Sequence, residues 1–220
     1  MIRPLVVLYL ILLFVCFVTG VICTRRLKWT FSPMKLLPWF ILLTLITELT
    51  GWWWAIHWGN NHKIYNVYQI IQFGFFSFML NSLIGNKKVK QLFIGLSSLF
   101  IAFAILNIAF IQGMAYINTL NYFIGAVIIS FFSGYALSEL FKTAVNDSPF
   151  KMPAFWIASS MLVQSSCLIP LILPTTFGMH FTFAESRILF SLIMLVNYFS
   201  YTMFTIAFWY YYKNNKRSPL

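Results

Sequence analysis

Glu48 is the residue whose setting most invites chemistry, because it is one of only 4 acidic residues in 220 and lies deep in an apolar stretch with no Lys or Arg at its depth. Gln72, Gln164 and Asn197 lie in three other apolar stretches, each about 8–10 residues from the same end. At about 1.5 Å rise per residue, all four sit roughly 12–15 Å below one surface. Uncompensated polar groups in hydrocarbon are costly and turn to a bundle interior or a watery cavity. Above that level, His62, Tyr65, Asn66, Gln69 and Gln72 follow the three-and-four spacing of one helical face. Thr44, Glu48, Gly51, Trp52 and Ala55 form a comparable face, in which Gly51 and Ala55 leave room one turn above the carboxylate. Asn107, Asn121, Tyr198 and Tyr201 are close enough to join. The expected site is an outward-opening polar pocket lined mainly by spans two, three, six and seven. Its ligand-binding residues are Glu48, Gln72, Gln69, Asn66, Tyr65, Gln164, Asn197 and Tyr201.

With no cation beside it, Glu48 is expected as the neutral acid in an empty site, and an amine or cation in the pocket would favour the carboxylate. The competing structural reading is that neutral Glu48 only hydrogen-bonds Gln72 or a nearby carbonyl and holds spans two and three together. His57, His62, His180 and Glu185 gather at the outer rim, but they come from different loops without HxxxH or HExxH spacing, so no metal site is expected. Glu139 beside Lys142 reads as an interfacial ion pair. Cys16 and Cys167 lie inside spans and Cys23 at the end of the first, which suits small apolar fillers better than a disulfide or a thiolate site.

Familiar chemistries fail on their required residues. The last span has no mid-helix lysine for a retinal Schiff base, the one aspartate, Asp147, is in a loop, and GxSxG, P-loop and zincin motifs are absent. No cofactor is expected, and the balance leans against an enzyme.

The elements that hold these residues are membrane spans. The chain is 60% hydrophobic, 20% aromatic and only 9% charged, whereas soluble domains carry about a quarter charged residues. Apolar stretches of about twenty residues suffice to cross a core of about 30 Å. The breaks predict seven spans, near 5–23, 36–57, 64–84, 91–111, 118–141, 153–174 and 187–212, as one all-α transmembrane bundle over residues 1–220. Arg25, Arg26 and Lys28 directly after the first span mark it as a retained helix rather than a signal peptide.

Basic residues assign the sides. Arg25, Arg26, Lys28, Lys35, Lys87, Lys88, Lys90, Lys142, Lys151, Lys213, Lys216 and Arg217 share one face, against Arg3, Lys63 and Arg187 on the other. Excess Lys and Arg mark the cytoplasmic side, so the N-terminus is expected outside and the C-terminus inside. The formal charge of +11 then serves topology and anionic lipid heads rather than nucleic acid. Trp52, Trp53, Trp54 and Trp58 at outer ends, with Trp29, Trp39, Trp156 and Trp209 at inner ends, read as interfacial anchors. Pro170 and Pro174 read as a helix stop, with a hinge as the alternative. Ala126, Ser130, Gly134 and Ser138 make a smooth strip on span five, expected against another helix of the same chain, with a homo-oligomer contact as the alternative.

The stretch "TELTGWWWAIHWGNNHKIYNVYQIIQF", from Thr47 to Phe73, resembles the signature of an uncharacterised family of small bacterial seven-helix membrane proteins. Thr47-Glu48, Asn60-Asn61, Ile64-Tyr65-Asn66, Tyr68 and Gln72-Phe73 carry the likeness. The resemblance implies a seven-helix fold, residence in the bacterial cytoplasmic membrane and a site including Glu48, Tyr65 and Asn66. Members carry Glu before that Phe where this chain has Gln72, and no settled activity comes with the family.

The first function expected is therefore a bundle that binds a small ligand, cationic ones included, from outside for sensing or transport. The alternatives are an intramembrane lipid-modifying enzyme using Glu48 as acid or base, and a non-catalytic membrane scaffold.

Overall fold

The computed structural model describes residues 3–25, 33–143, 148–177 and 182–216. Among them are seven α-helices and no strand: α1 (Arg3–Arg25), α2 (Pro33–Trp58), α3 (His62–Ser82), α4 (Lys87–Leu106), α5 (Thr119–Thr143), α6 (Pro153–Thr176) and α7 (Phe183–Lys216). All but α3 are long and apolar enough to cross a membrane. At 21 residues α3 is also long enough, about 31 Å, but His62, Lys63, Asn66, Gln69, Gln72 and Asn81 dilute its apolar character. Its polar face is thus the cost of the polar layer expected from sequence.

The neighbours around the bundle are α1 on α2, α2 on α3, α3 on α5, α5 on α6, α6 on α7, and α7 back on α1. Six helices therefore close a ring. The remaining helix, α4, packs outside it against α3 and, lightly, α5. This follows from its residues: it offers the buried Phe93, Phe100 and Ala104 to its neighbours, while Leu92, Leu99 and Ile105 stay exposed. Phe93 stacks on Phe132 of α5 with ring centroids 3.6 Å apart, and Phe100 packs on Phe73 of α3 at 4.1 Å.

The ring has two ends. The start of α1, the turns near 58–62 and 107–118, the end of α6 and the start of α7 form one, called here the upper rim. The ends of α1, α3, α5 and α7 and the starts of α2, α4 and α6 form the lower. Arg25, Lys35, Lys87, Lys88, Lys90, Lys142, Lys151 and Lys213 belong to the lower rim, with Lys63 and Arg187 at the upper. Arg26, Lys28, Trp29, Asp147, His180 and Arg217 lie outside the described residues. Trp52, Trp53 and Trp58 are exposed near the upper rim and Trp39 and Trp209 near the lower, as interfacial rings should be.

The middle of the ring is close-packed. Leu13, Cys16, Leu37, Ile41, Leu80, Met161, Phe204 and Phe208 are all buried there. Phe40 stacks on Phe75 at 4.2 Å and meets Phe76 at 5.5 Å. Gly20 lets α1, α2 and α7 meet, since a Cβ there would lie 2.7 Å from the Phe208 ring and 2.8 Å from Pro38. Beneath this layer, a recess of about 330 Å³ between α2, α3, α6 and α7 opens at the lower rim.

One expectation changes, and one feature of α4 was not expected. Helix α6 runs through Pro170 and Pro174 to Thr176, so neither proline stops it; each removes one backbone donor, and the helix ends two residues after the second. Helix α4 passes into a π-turn at Asn107–Ile111 before Gly113, at φ +73°, breaks the chain.

Candidate functional site

The upper half of the ring is hollow. A cavity of about 460 Å³ lies on its axis, and all six ring helices contribute walls: Tyr9 from α1, Glu48 and Trp52 from α2, Tyr65, Tyr68 and Gln72 from α3, Tyr122 from α5, Gln164 and Leu168 from α6, and Met194, Asn197 and Tyr201 from α7. It reaches the upper rim at Asn61 and Ile117. Its volume is within the range of sites for small organic molecules.

Glu48 is partly buried and shows its carboxyl to this space. The Tyr65 hydroxyl donates to Oε2 at 2.7 Å and the Tyr9 hydroxyl to Oε1 at 3.2 Å. The competing structural role expected Gln72 or a nearby carbonyl as partner; the hydroxyls of Tyr65 on α3 and Tyr9 on α1 meet Glu48 instead. The room expected above the carboxylate exists at Gly51, but Tyr65 fills it: a Cβ on residue 51 would lie 3.1 Å from that hydroxyl and 3.2 Å from the ring.

Around this pair the hydrogen bonds tie the helices at one level. Thr44 and Tyr68 hydroxyls meet at 2.6 Å, joining α2 to α3 at the cavity floor. Gln164 Nε2 donates to Asn197 Oδ1 at 3.3 Å between α6 and α7. Tyr201 is buried, its ring 5.9 Å from that of Tyr9. Tyr198 instead donates to the Leu5 carbonyl and pins α7 to α1. Gln72 and Gln164 also border a side chamber of about 60 Å³ between α3, α5 and α6, shared with Gln69 and Ser165. The buried Gln69 Oε1 has no protein partner, and the chamber is large enough for water to serve it.

Of the eight residues expected to bind ligand, Glu48, Tyr65, Gln72, Gln164, Asn197 and Tyr201 line the main cavity, and Gln69 lines the side chamber. Asn66 lines neither. It is fully buried and latches the α4–α5 turn onto α3, donating to the Tyr116 carbonyl at 2.8 Å and accepting from Asn118 N–H at 3.0 Å. The turn it holds carries Ile117 to the cavity mouth. Asn107 and Asn121 are joined at 2.8 Å, away from the cavity, where they secure the π-turn to α5.

Sequence reasoning missed Tyr9, Tyr68 and Tyr122. Tyr9 carried a signal, as the one aromatic hydroxyl in an otherwise aliphatic and phenylalanine-rich first span. Tyr68 stood only in the stretch that carries the family likeness and Tyr122 carried no signal, because a tyrosine on an apolar face packs equally well as core.

At the upper rim, His57 stacks on Trp53 at 4.5 Å and bonds its carbonyl at 2.8 Å, and Glu185 caps α7 through Thr182 N–H and hydroxyl at 2.8 Å each. That reciprocal pair is a capping box. Among the described residues, no group of three or more His, Cys, Asp or Glu side chains is arranged to hold a metal. Glu139, expected beside Lys142, accepts from Gly85 N–H at 2.9 Å and from Tyr135 at 3.1 Å, tying α5 to the α3–α4 turn. On the small-residue strip, Ala126 is buried and Ser130 meets Ser165 of α6 at 3.0 Å, while nothing lies within 4 Å of a Cβ on Gly134 and Ser138 is exposed. The upper strip is thus an intrachain helix contact.

No family model matches the chain, and neither a curated protein nor a solved structure is similar to it.

Proposed function

We propose that the chain crosses a bacterial cytoplasmic membrane seven times, N-terminus outside, and binds a small molecule in the cavity around Glu48 for sensing or transport. The observation that carries the reading is the asymmetry of the bundle: a close-packed middle layer beneath a hollow upper half whose one acidic side chain faces the hollow. Polar groups in a membrane core are expensive to keep. A carboxyl, four amides and several phenolic hydroxyls lining one chamber of about 460 Å³ make sense where something polar occupies it. Lower-rim basic residues support the orientation, and α3, polar on the cavity side, completes the seventh crossing. Transport would require the middle layer to part toward the lower recess, and sensing would not.

Thermal unfolding of purified wild type and Glu48→Gln, from about pH 5 to 9 with a panel of amines and metal ions, tests the site. A stabilisation in wild type that the variant loses supports binding at Glu48. Identical curves throughout would leave Glu48 a structural residue.

A further inference from the structure

Deepening the reading above and resting on it, we propose that the cavity's occupant is a singly charged organic ammonium ion with an uncharged apolar body, its head at Glu48, and that molecules bearing a carboxylate, zwitterions included, are rejected.

The charge follows from the walls. Among the described residues lining the cavity, Glu48 is the one acid, and none is Lys, Arg or His. The upper-rim cations Lys63 and Arg187 do not line it. A carboxylate offers about four acceptor positions, and Tyr9 and Tyr65 take two of them, leaving acceptor capacity toward the cavity. One acid without a compensating base matches one positive charge.

The kind of cation follows from the rest of the lining. Tyr9, Trp52, Tyr65, Tyr122 and Tyr201 put aromatic rings around the same space. Ring faces attract ammonium groups that have lost their water, and do so without needing N–H donors. A metal ion would find a single carboxylate there, and among the described residues no group of three or more His, Cys, Asp or Glu side chains is arranged to hold one. The remaining wall, from Leu10, Leu168, Phe190 and Met194, is apolar and fits an uncharged body.

The rejection of acids follows from the same walls. The carboxylate of a zwitterion would enter beside the Glu48 carboxylate with no cation to pair it, offered only neutral amides and hydroxyls such as Gln72, Gln164, Asn197 and Tyr201. Burial of an unpaired charge is strongly unfavourable. The exclusion therefore discriminates an amine from the amino acid of the same skeleton.

The test uses four probes that share one skeleton: 2-phenylethylamine, its N-trimethyl derivative, 2-phenylethanol and phenylalanine, titrated into the full-length protein at neutral pH. Both cations should bind, the alcohol roughly tenfold or more weakly, and phenylalanine not measurably. Glu48→Gln should weaken the cations roughly tenfold and leave the alcohol unchanged. Trp52→Leu, which leaves the Glu48 hydrogen bonds in place, should likewise weaken the cations more than the alcohol. Alcohol and amine binding equally, or phenylalanine binding as well as the amine, would overturn the proposal while leaving the cavity as a binding site. Failure of all four probes would also overturn it, and the cavity reading is then decided separately by the reactivity of a thiol at position 48.

Discussion

The Tyr65 hydroxyl reaches Glu48 Oε2 at 2.7 Å across a space that exists because residue 51 has no side chain. One turn along α2 from the carboxylate, Gly51 lets the phenol of α3 lie against the α2 backbone. The acid, the glycine and the tyrosine therefore form one unit, and with Tyr9 they join α1, α2 and α3 at the cavity wall.

That unit should behave cooperatively. Gly51→Ala places a methyl 3.1 Å from the hydroxyl, so the ring must shift, and Tyr65→Phe removes the donor while keeping the ring. Each should cost about 1–2 kcal/mol, and the double variant should cost clearly less than the sum because both remove the same bond. Unfolding midpoints of the two single variants and the double variant measure this, and strict additivity would show that Gly51 acts elsewhere.

Gly20 sits where α1, α2 and α7 cross. Gly20→Val drives methyl groups into the Phe208 ring and Pro38, which stand 2.7 and 2.8 Å from a Cβ. The loss should be about 1–3 kcal/mol. Gly95→Ala on exposed α4, with nothing within 4 Å, should be neutral or gain up to about 1 kcal/mol of helix propensity. Thermal unfolding of the two variants in one detergent compares them directly.

Asn66 is a latch. Asn66→Leu leaves Asn118 N–H and the Tyr116 carbonyl without their partner, at a cost of about 1–3 kcal/mol, and frees the turn that carries Ile117. Proteolysis between residues 112 and 118 should become faster in the variant while the wild-type turn stays intact.

Much of this was legible in the sequence. The helix boundaries follow from apolar length and charged breaks, and the equal depth of Glu48, Gln72, Gln164 and Asn197 correctly groups side chains that line one cavity. Depth, however, is one coordinate only. Asn66 shares a helical face with Tyr65 and Gln69, yet its amide turns to the α4–α5 turn, because a backbone segment needing a donor and an acceptor lies there. The contribution of α1 rested on one residue: Tyr9 stands out as the one aromatic hydroxyl of its span, but a single position gives no periodicity to say which way it faces. That α4 lies outside the ring depends on competition among helix faces that single-chain patterning does not rank.

Topology is tested by single cysteines in a background with Cys16, Cys23 and Cys167 replaced by alanine. An impermeant maleimide added to intact cells should modify Asn61→Cys and spare Lys88→Cys. The opposite pattern would place the cavity mouth in the cytoplasm.

Water should reach the upper half of the ring as far as Glu48 and be shut out of the packed middle layer. In the same cysteine-free background, the rates at which a small cationic thiosulfonate modifies Glu48→Cys and Ser77→Cys test this most directly, since Ser77 is 5% exposed and lies in the packed layer. Position 48 should be modified rapidly from the side that labels position 61, and position 77 not at all. Protection of position 48 as complete as that of position 77 would contradict it.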